Sequence, residues 1–237
     1  MIEYSRGDET LMLLALEEAR KGAGRTSPNP CVGAVIVKDK KVIAKGFHEK
    51  AGQAHAEINA LRLAGEYAHG ATVYVTLEPC SHTGKTPPCC EALVRSGVSR
   101  VVYGMRDPNP LVSGKGIAYL EKHGVKVLGP VLEQQCMKLN ESFITYITTG
   151  KPLVVLKAAI SLDGRISYAP KKPGRITGDE SRAYVHEMRN RYDAIMVGTT
   201  TVESDNPSLT TRLAKGGGKD PHRIILDAGL RLKPDLN

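Results

Sequence analysis

Tryptophan is absent from the chain and phenylalanine occurs only twice, beside nine tyrosines. Proteins that hold single-stranded nucleic acid stack bases on aromatic side chains, so this short supply argues against a nucleic-acid partner. The first residues, Met1 to Arg20, are acidic and amphipathic, with no long apolar run and no small-residue cleavage site. Neither a signal peptide nor a membrane span is expected, and the expected compartment is the cytoplasm. Cysteine is scarce: five residues, an odd number at uneven spacing, make poor material for a disulfide framework and better material for metal ligation. Internal repeats are lacking, and Gly216-Gly217-Gly218 is the one low-complexity spot.

What is there is a chain of 237 residues, 41% hydrophobic and 24% charged, the balance of a globular protein long enough for one large domain or two smaller ones. The net charge of +8 fits nucleic acid, an anionic membrane, a phosphorylated small molecule, or solubility alone. With so few stacking platforms, a phosphate-bearing metabolite fits best, with no nucleic acid and no membrane as partner and a homo-oligomer as the expected assembly.

Hydrophobic periodicity predicts a helix over residues 10–21, then a hairpin of Val32–Val37 and Lys41–Gly46 turning at Lys38-Asp39-Lys40. It continues with a helix from His55 to Ala64, a strand from Thr72 to Leu77 and a helix from Cys90 to Ser96 with Pro88 near its start. Next come a strand over Arg100–Met105, a helix over Gly116–His123, a strand over Val125–Leu128 and one long helix over Val131–Thr148. The alternation predicts a mixed sheet with helices on both faces. Gly150-Lys-Pro152 breaks the pattern and divides the chain into domains 1–150 and 151–237. In the second, strands are expected at Leu153–Ala159, Ala194–Gly198 and Arg223–Asp227 and a helix over Ser181–Arg191. This stretch reads as the front part of a larger α/β domain.

Two short segments carry the chemistry. His55-Ala56-Glu57 opens a predicted helix, while Pro79-Cys80 and Pro88-Cys89 stand at a strand end and a helix start. A catalytic zinc ion takes three protein ligands in tetrahedral geometry and leaves the fourth position to water. His55, Cys80 and Cys89 supply three, and Glu57, two residues beyond His55, can carry protons without being a ligand. Zinc nucleobase deaminases share this His-x-Glu and Pro-Cys arrangement. Here eight residues separate the cysteines, and insertion in a surface loop costs little. Alternatives stay open: Cys90 in place of Cys89, and His82 as a fourth ligand that would close the site. Two functional rivals follow, a tRNA or other nucleobase deaminase and a non-catalytic zinc module.

Ser27-Pro-Asn-Pro30, Gly46-Phe-His48, His55-Ala-Glu57, Thr76-Leu-Glu-Pro-Cys-Ser-His82, Gly84-Lys-Thr-Pro-Pro-Cys89 and Asp107-Pro-Asn-Pro110 resemble the bifunctional riboflavin-biosynthesis deaminase/reductase family, long cysteine loop included. The resemblance implies an α/β protein: a cytidine-deaminase-like three-layer α/β/α domain with a mixed sheet, then a partial dihydrofolate-reductase-like α/β domain. It implies hydrolytic deamination of 2,5-diamino-6-ribosylamino-4(3H)-pyrimidinone 5′-phosphate, with zinc on His55, Cys80 and Cys89 and Glu57 as proton shuttle. It also implies a substrate pocket of Asn29, His48, Lys85, Asp107 and Asn109, in which His48 and Lys85 can meet a phosphate. Ser161-Leu-Asp-Gly164, Val197-Gly198, Thr201-Val202 and Asp205-Asn-Pro-Ser-Leu-Thr210 are similar to the opening of the NADPH-dependent reductase. That implies Ala159, Thr201 and Asp205 on the NADPH side and Leu209 and Arg212 on the substrate side, in a reductase expected to be incomplete in this chain.

Overall fold

A computed structural model describes residues 4–81, 87–110, 112–168, 174–233 and 236–237. The chain divides into two compact units, Met1–Leu153 and Val154–Asn237.

In the first unit, helix α1 (Arg6–Arg20) starts earlier than periodicity suggested, because Ser5 caps it. Ser5 Oγ accepts from Asp8 N at 3.2 Å, and Asp8 Oδ2 accepts from Ser5 N at 3.0 Å, so each terminal N–H finds an oxygen. The apolar stripe of α1, Met12, Ala15, Leu16 and Ala19, is fully buried. It lies on a five-stranded sheet ordered β2-β1-β3-β4-β5. The strands are β1 (Gly33–Lys38), β2 (Lys41–Phe47), β3 (Thr72–Leu77), β4 (Arg100–Met105) and β5 (Lys126–Leu128). β1 pairs antiparallel with β2 and β3, whereas β3–β4 and β4–β5 are parallel. The sheet is therefore mixed. The hairpin turn sits at Asp39 and Lys40, whose φ of 49° and 61° match the twist of a tight two-residue hairpin.

Two glycines set how closely helices approach this sheet. A Cβ at Gly33 would run into the Ala15 and Ala19 backbone of α1, and one at Gly46 would meet Ala60 N at 2.5 Å and Ala56 O at 2.6 Å in helix α2 (Ala56–Ala64). Helices α3 (Cys89–Arg95) and α4 (Lys115–Lys122) continue the layer of α2, while α5 (Glu133–Leu139) meets α1. The core between them is built largely of valine, alanine and leucine.

One expectation fails here. The helix foreseen over Val131–Thr148 is two helices, α5 and α6 (Glu141–Thr149), broken at Asn140 with φ −105°. The Asn140 side chain is drawn away to the main chain of Cys31: its Oδ1 accepts from Cys31 N at 2.7 Å and its Nδ2 donates to Cys31 O at 3.0 Å.

The second unit contains α7 (Asp179–Arg191), β6 (Ala194–Gly198), α8 (Thr199–Asp205) and β7 (His222–Leu226). β6 and β7 form a parallel pair from Ala194↔His222 to Gly198↔Leu226. The strand foreseen at Leu153–Ala159 does not form, since among the described residues no strand pairs with it, and Val154 and Leu156 are exposed. An extended segment without a ladder partner has no β hydrogen bonds to make. Among the described residues no helix is long and apolar enough to cross a membrane.

Candidate metal centre and neighbouring pockets

The parallel pair β3–β4 directs two loops to one edge of the sheet, the edge at which open α/β folds receive ligands. From β3 the chain runs through Glu78-Pro79 to Cys80, and from β4 it runs into Asp107-Pro-Asn109. Glu78 N donates to Met105 O at 2.9 Å, so the two loops leave side by side. α2 brings the third component. His55 is its N-cap with extended backbone, and Glu57 lies in its first turn.

The donor atoms of His55, Cys80 and Cys89 lie within 4.8 Å of one another. His55 Nδ1 stands 3.1 Å from Cys89 Sγ and 3.6 Å from Cys80 Sγ. Tetrahedral zinc with Zn–S of about 2.3 Å and Zn–N of about 2.0 Å requires N-to-S edges of roughly 3.6 Å. The His55–Cys80 separation matches that edge and the His55–Cys89 separation is about 0.5 Å short of it, so a small outward shift of Cys89 would admit a zinc ion. Burial and mutual hydrogen bonds perturb all three groups. The side chain of Cys89 pushes the Cys80 pKa down, against burial, with His55 and the Cys89 N–H, 3.3 Å from Cys80 Sγ, acting in the same direction. Its hydrogen bond to Cys80 pushes the Cys89 thiol up, and burial adds to this. The hydrogen bond with Cys80 raises His55, despite burial, and the charge of Glu57 raises it further. A divalent cation bound here would draw Cys89 to its thiolate and His55 to its neutral form, since those are the forms that ligate.

Glu57 is 3% exposed. Burial pushes its pKa up to about 7, the charge of Cys80 adds to this, and a hydrogen bond with Cys89 places the carboxyl beside the sulfurs. Cys90, the sequence alternative to Cys89, points into the apolar core instead, and burial raises its thiol to about 11. His82 and Lys85 lie outside the described residues.

Asn29 and His48 form a pair. His48 is 2% exposed, its Nδ1 lies 3.0 Å from Ala54 O, and its Nε2 lies 3.1 Å from Asn29 Nδ2. With the Asn29 amide in this orientation, a ring protonated on Nδ1 donates to the carbonyl and accepts from the amide. Burial depresses the His48 pKa, consistent with that neutral form. The contact holds Asn29 against His48, and the His48 and His55 rings meet at 84° with centroids 5.5 Å apart. Asp107 Oδ1 accepts from Asn109 N at 2.8 Å, which folds the second loop back on itself. Two residues escaped sequence reasoning: Glu78, a buried carboxylate, and Asn140, the clamp on the Asn29 loop.

In the second unit, Lys157, Thr177, Arg182, Val185, His186, Arg189 and Arg212 line a cavity of about 210 Å³. The Nε of Arg189 is buried without a partner among the described residues. Burial and the charges of Arg189 and Arg212 hold His186 below its ordinary pKa, so the positive charge belongs to the lysine and arginines. Thr201 and Asp205 lie on α8, directly after the C-terminal end of β6. Leu209 is buried at φ 55°, and Ala159 is half-buried in the segment that forms no strand.

A mixed sheet between helical layers, with imidazole and two sulfurs converging beside a buried glutamate, defines a zinc-binding domain of the deaminase class, and residues 5–105 match the family model "Cytidine and deoxycytidylate deaminase zinc-binding region". Residues 152–237 match the RibD C-terminal domain. With both segments in this order, the chain belongs to the RibD family of riboflavin-biosynthesis proteins. It is 49% identical to the riboflavin biosynthesis protein RibD of Aquifex aeolicus over 95% of this chain and 63% of that one. Among solved structures, Acinetobacter baumannii RibD superposes with a TM-score of 0.92 at 46% identity, over 98% of this chain and 66% of that one. A Thermotoga maritima diaminohydroxyphosphoribosylaminopyrimidine deaminase/5-amino-6-(5-phosphoribosylamino)uracil reductase gives 0.88 at 50% identity, over 93% and 63%. The chain thus spans 63% of the length of the Aquifex relative and 62% of a Bacillus amyloliquefaciens one.

Proposed function

We propose that the first unit hydrolytically deaminates 2,5-diamino-6-ribosylamino-4(3H)-pyrimidinone 5′-phosphate in riboflavin biosynthesis. One observation carries the reading: three zinc-type donors converge beside a buried carboxyl that is not needed as a ligand. When bound by His55, Cys80 and Cys89, zinc supplies a Lewis acid that brings the acidity of water toward neutrality. Everything else falls to the chain's own side chains. With its pKa near 7, the Glu57 carboxyl takes a proton from the attacking water and returns protons to the ring nitrogen and the leaving amine. The C–NH₂ bond breaks, a C=O bond forms, and ammonia departs with the water's second proton. Asn29, held in one orientation by His48, reads a polar edge of the ring, and Asp107 and Asn109 supply further polar groups from the second loop.

The second unit carries part of an NADPH-dependent reductase acting on the deaminated product. The cavity around Lys157, Arg182, Arg189 and Arg212 suits the substrate's phosphate, since guanidinium and ammonium groups pair with phosphate oxygens. Thr201, Asp205 and Ala159 would face the cofactor, with Leu209 beside Arg212 on the substrate side.

Incubating the purified protein with the phosphoribosylaminopyrimidine, with and without NADPH, and resolving products by mass spectrometry tests both halves. Ammonia release without NADPH is the expected result. Glu57→Gln should keep a full complement of zinc and the circular dichroism spectrum, and lower the rate by about 10²- to 10⁴-fold. Undiminished turnover in that variant removes the mechanism.

A further inference from the structure

We propose that Glu78 is a positioning residue, whose buried carboxylate clasps both ends of the loop that presents Asp107 and Asn109. This rests on the deaminase reading and extends it to a residue that touches neither metal nor substrate.

Glu78 is 4% exposed, and its two oxygens divide the work. Oε2 accepts from Gly114 N at 3.0 Å and from Asp107 N at 3.4 Å, the two ends of the loop. Oε1 accepts from Gly116 N at 3.1 Å and Ile117 N at 3.4 Å, in the first turn of α4. The N–H groups of a helix's first turn have no intrahelical partner, so Oε1 acts as an ordinary cap would. Oε2 does something a cap does not. It joins the N–H groups of residues 107 and 114, so that these two positions close a hydrogen-bonded ring. Inside that ring Asn109 O accepts from Val112 N and Ser113 N at 3.0 and 2.9 Å, and Asp107 Oδ1 holds Asn109 N.

An independent contact ties the clasp to the metal centre. Gly116 lies so close to the carbonyl of Pro79 that a Cβ there would collide with its oxygen. Pro79 is the residue before Cys80. Gly114, at φ 80°, adopts the left-handed conformation that glycine takes without strain. The segment 78–80 therefore holds a metal ligand at one end and the pocket loop at the other. A carboxylate buried in this way is costly unless several donors meet it, and main-chain N–H groups bond a charged acceptor more strongly than a neutral one. A capping role alone is met elsewhere by a short neutral side chain. Both oxygens are needed only if the loop must be closed.

Glu78→Gln is the direct test, because one of its two acceptors becomes an NH₂ that faces N–H groups. Amide hydrogen exchange reads the loop without reference to activity. In the wild type the N–H groups of Gly114, Gly116 and Ile117 should be protected, although they lie at a loop end and in a first helical turn. In the variant, peptides covering 106–117 should exchange about tenfold faster or more. KM for the aminopyrimidine should rise about tenfold, with kcat within about threefold and zinc content unchanged. Unchanged exchange overturns the proposal, and so does a parallel loss of zinc and kcat, which would make Glu78 a scaffold for Cys80. Should the variant not fold, two measurements decide. Unprotected wild-type amides at Gly114 and Gly116 refute the clasp, and Gly116→Ala, which forces α4 from Pro79, must raise exchange over 106–117. A wild type that binds zinc but releases no ammonia ends the deaminase reading, while exchange still decides the clasp.

Discussion

Asp8 contributes to how the first unit responds to acid. It is 5% exposed, and it accepts from Tyr74 Oη at 2.8 Å and pairs with Arg100 at 3.1 Å, tying α1 to β3 and β4. Burial alone would raise its pKa, but hydrogen bonds from the Ser5 main chain, Tyr74, the Ser5 hydroxyl and Arg100 outweigh it and hold the value below the ordinary 3.8. The unfolded chain keeps the ordinary value. The native state therefore binds this proton less readily, so Asp8 stabilises the fold above about pH 4 and the contribution is lost as pH falls through the lower native value. Urea unfolding should show wild type well above Asp8→Asn at neutral pH, with the gap narrowing toward about pH 3. A constant gap would mean that shape, not charge, is what matters at this position. Tyr74, whose pKa is raised to about 12 by burial and by Asp8, stays a donor throughout.

Helix α2 carries His55 and Glu57, and its distance from the sheet is set by Gly46. Gly46→Ala should destabilise the unit by about 1–3 kcal/mol through overpacking. Because the helix must retreat, zinc affinity should fall too, as a competition titration with a chelating dye would show; unchanged affinity would uncouple helix placement from the centre. This dependence explains what could be read in advance. His-x-Glu and the two Pro-Cys pairs are linear signals, and the strands declared themselves by β-branched runs. Sequence left Cys89 and Cys90 undecided because either could open α3, and helical phase chose: one meets His55, the other the core. Glu78 and Asn140 were illegible for another reason. Their partners are main-chain groups 29 to 39 and 109 residues away, and backbone N–H groups leave no trace in composition. The same holds at Leu153–Ala159, where β-type residues have no described partner strand.

At the scale of the molecule, the chain forms two compact units, and the proposed function assigns each its own chemistry. Substitutions around the Arg189 cavity should therefore leave ammonia release intact. Arg212→Met is expected to weaken binding of a phosphorylated ribosyl ligand about tenfold or more, read by calorimetry, while deamination by the same sample is unaffected. Loss of both would show that the units do not work separately. The borders of the larger sheet carry one more consequence. β5 offers only three residues, and β2 carries lysines at 41 and 45, the second 3.9 Å from Glu18, with the register shifted between them, at Ile43 opposite Ile36/Val37. Short, charged and kinked rims give an incoming strand from another copy little to zip onto, which disfavours growth of this sheet from chain to chain.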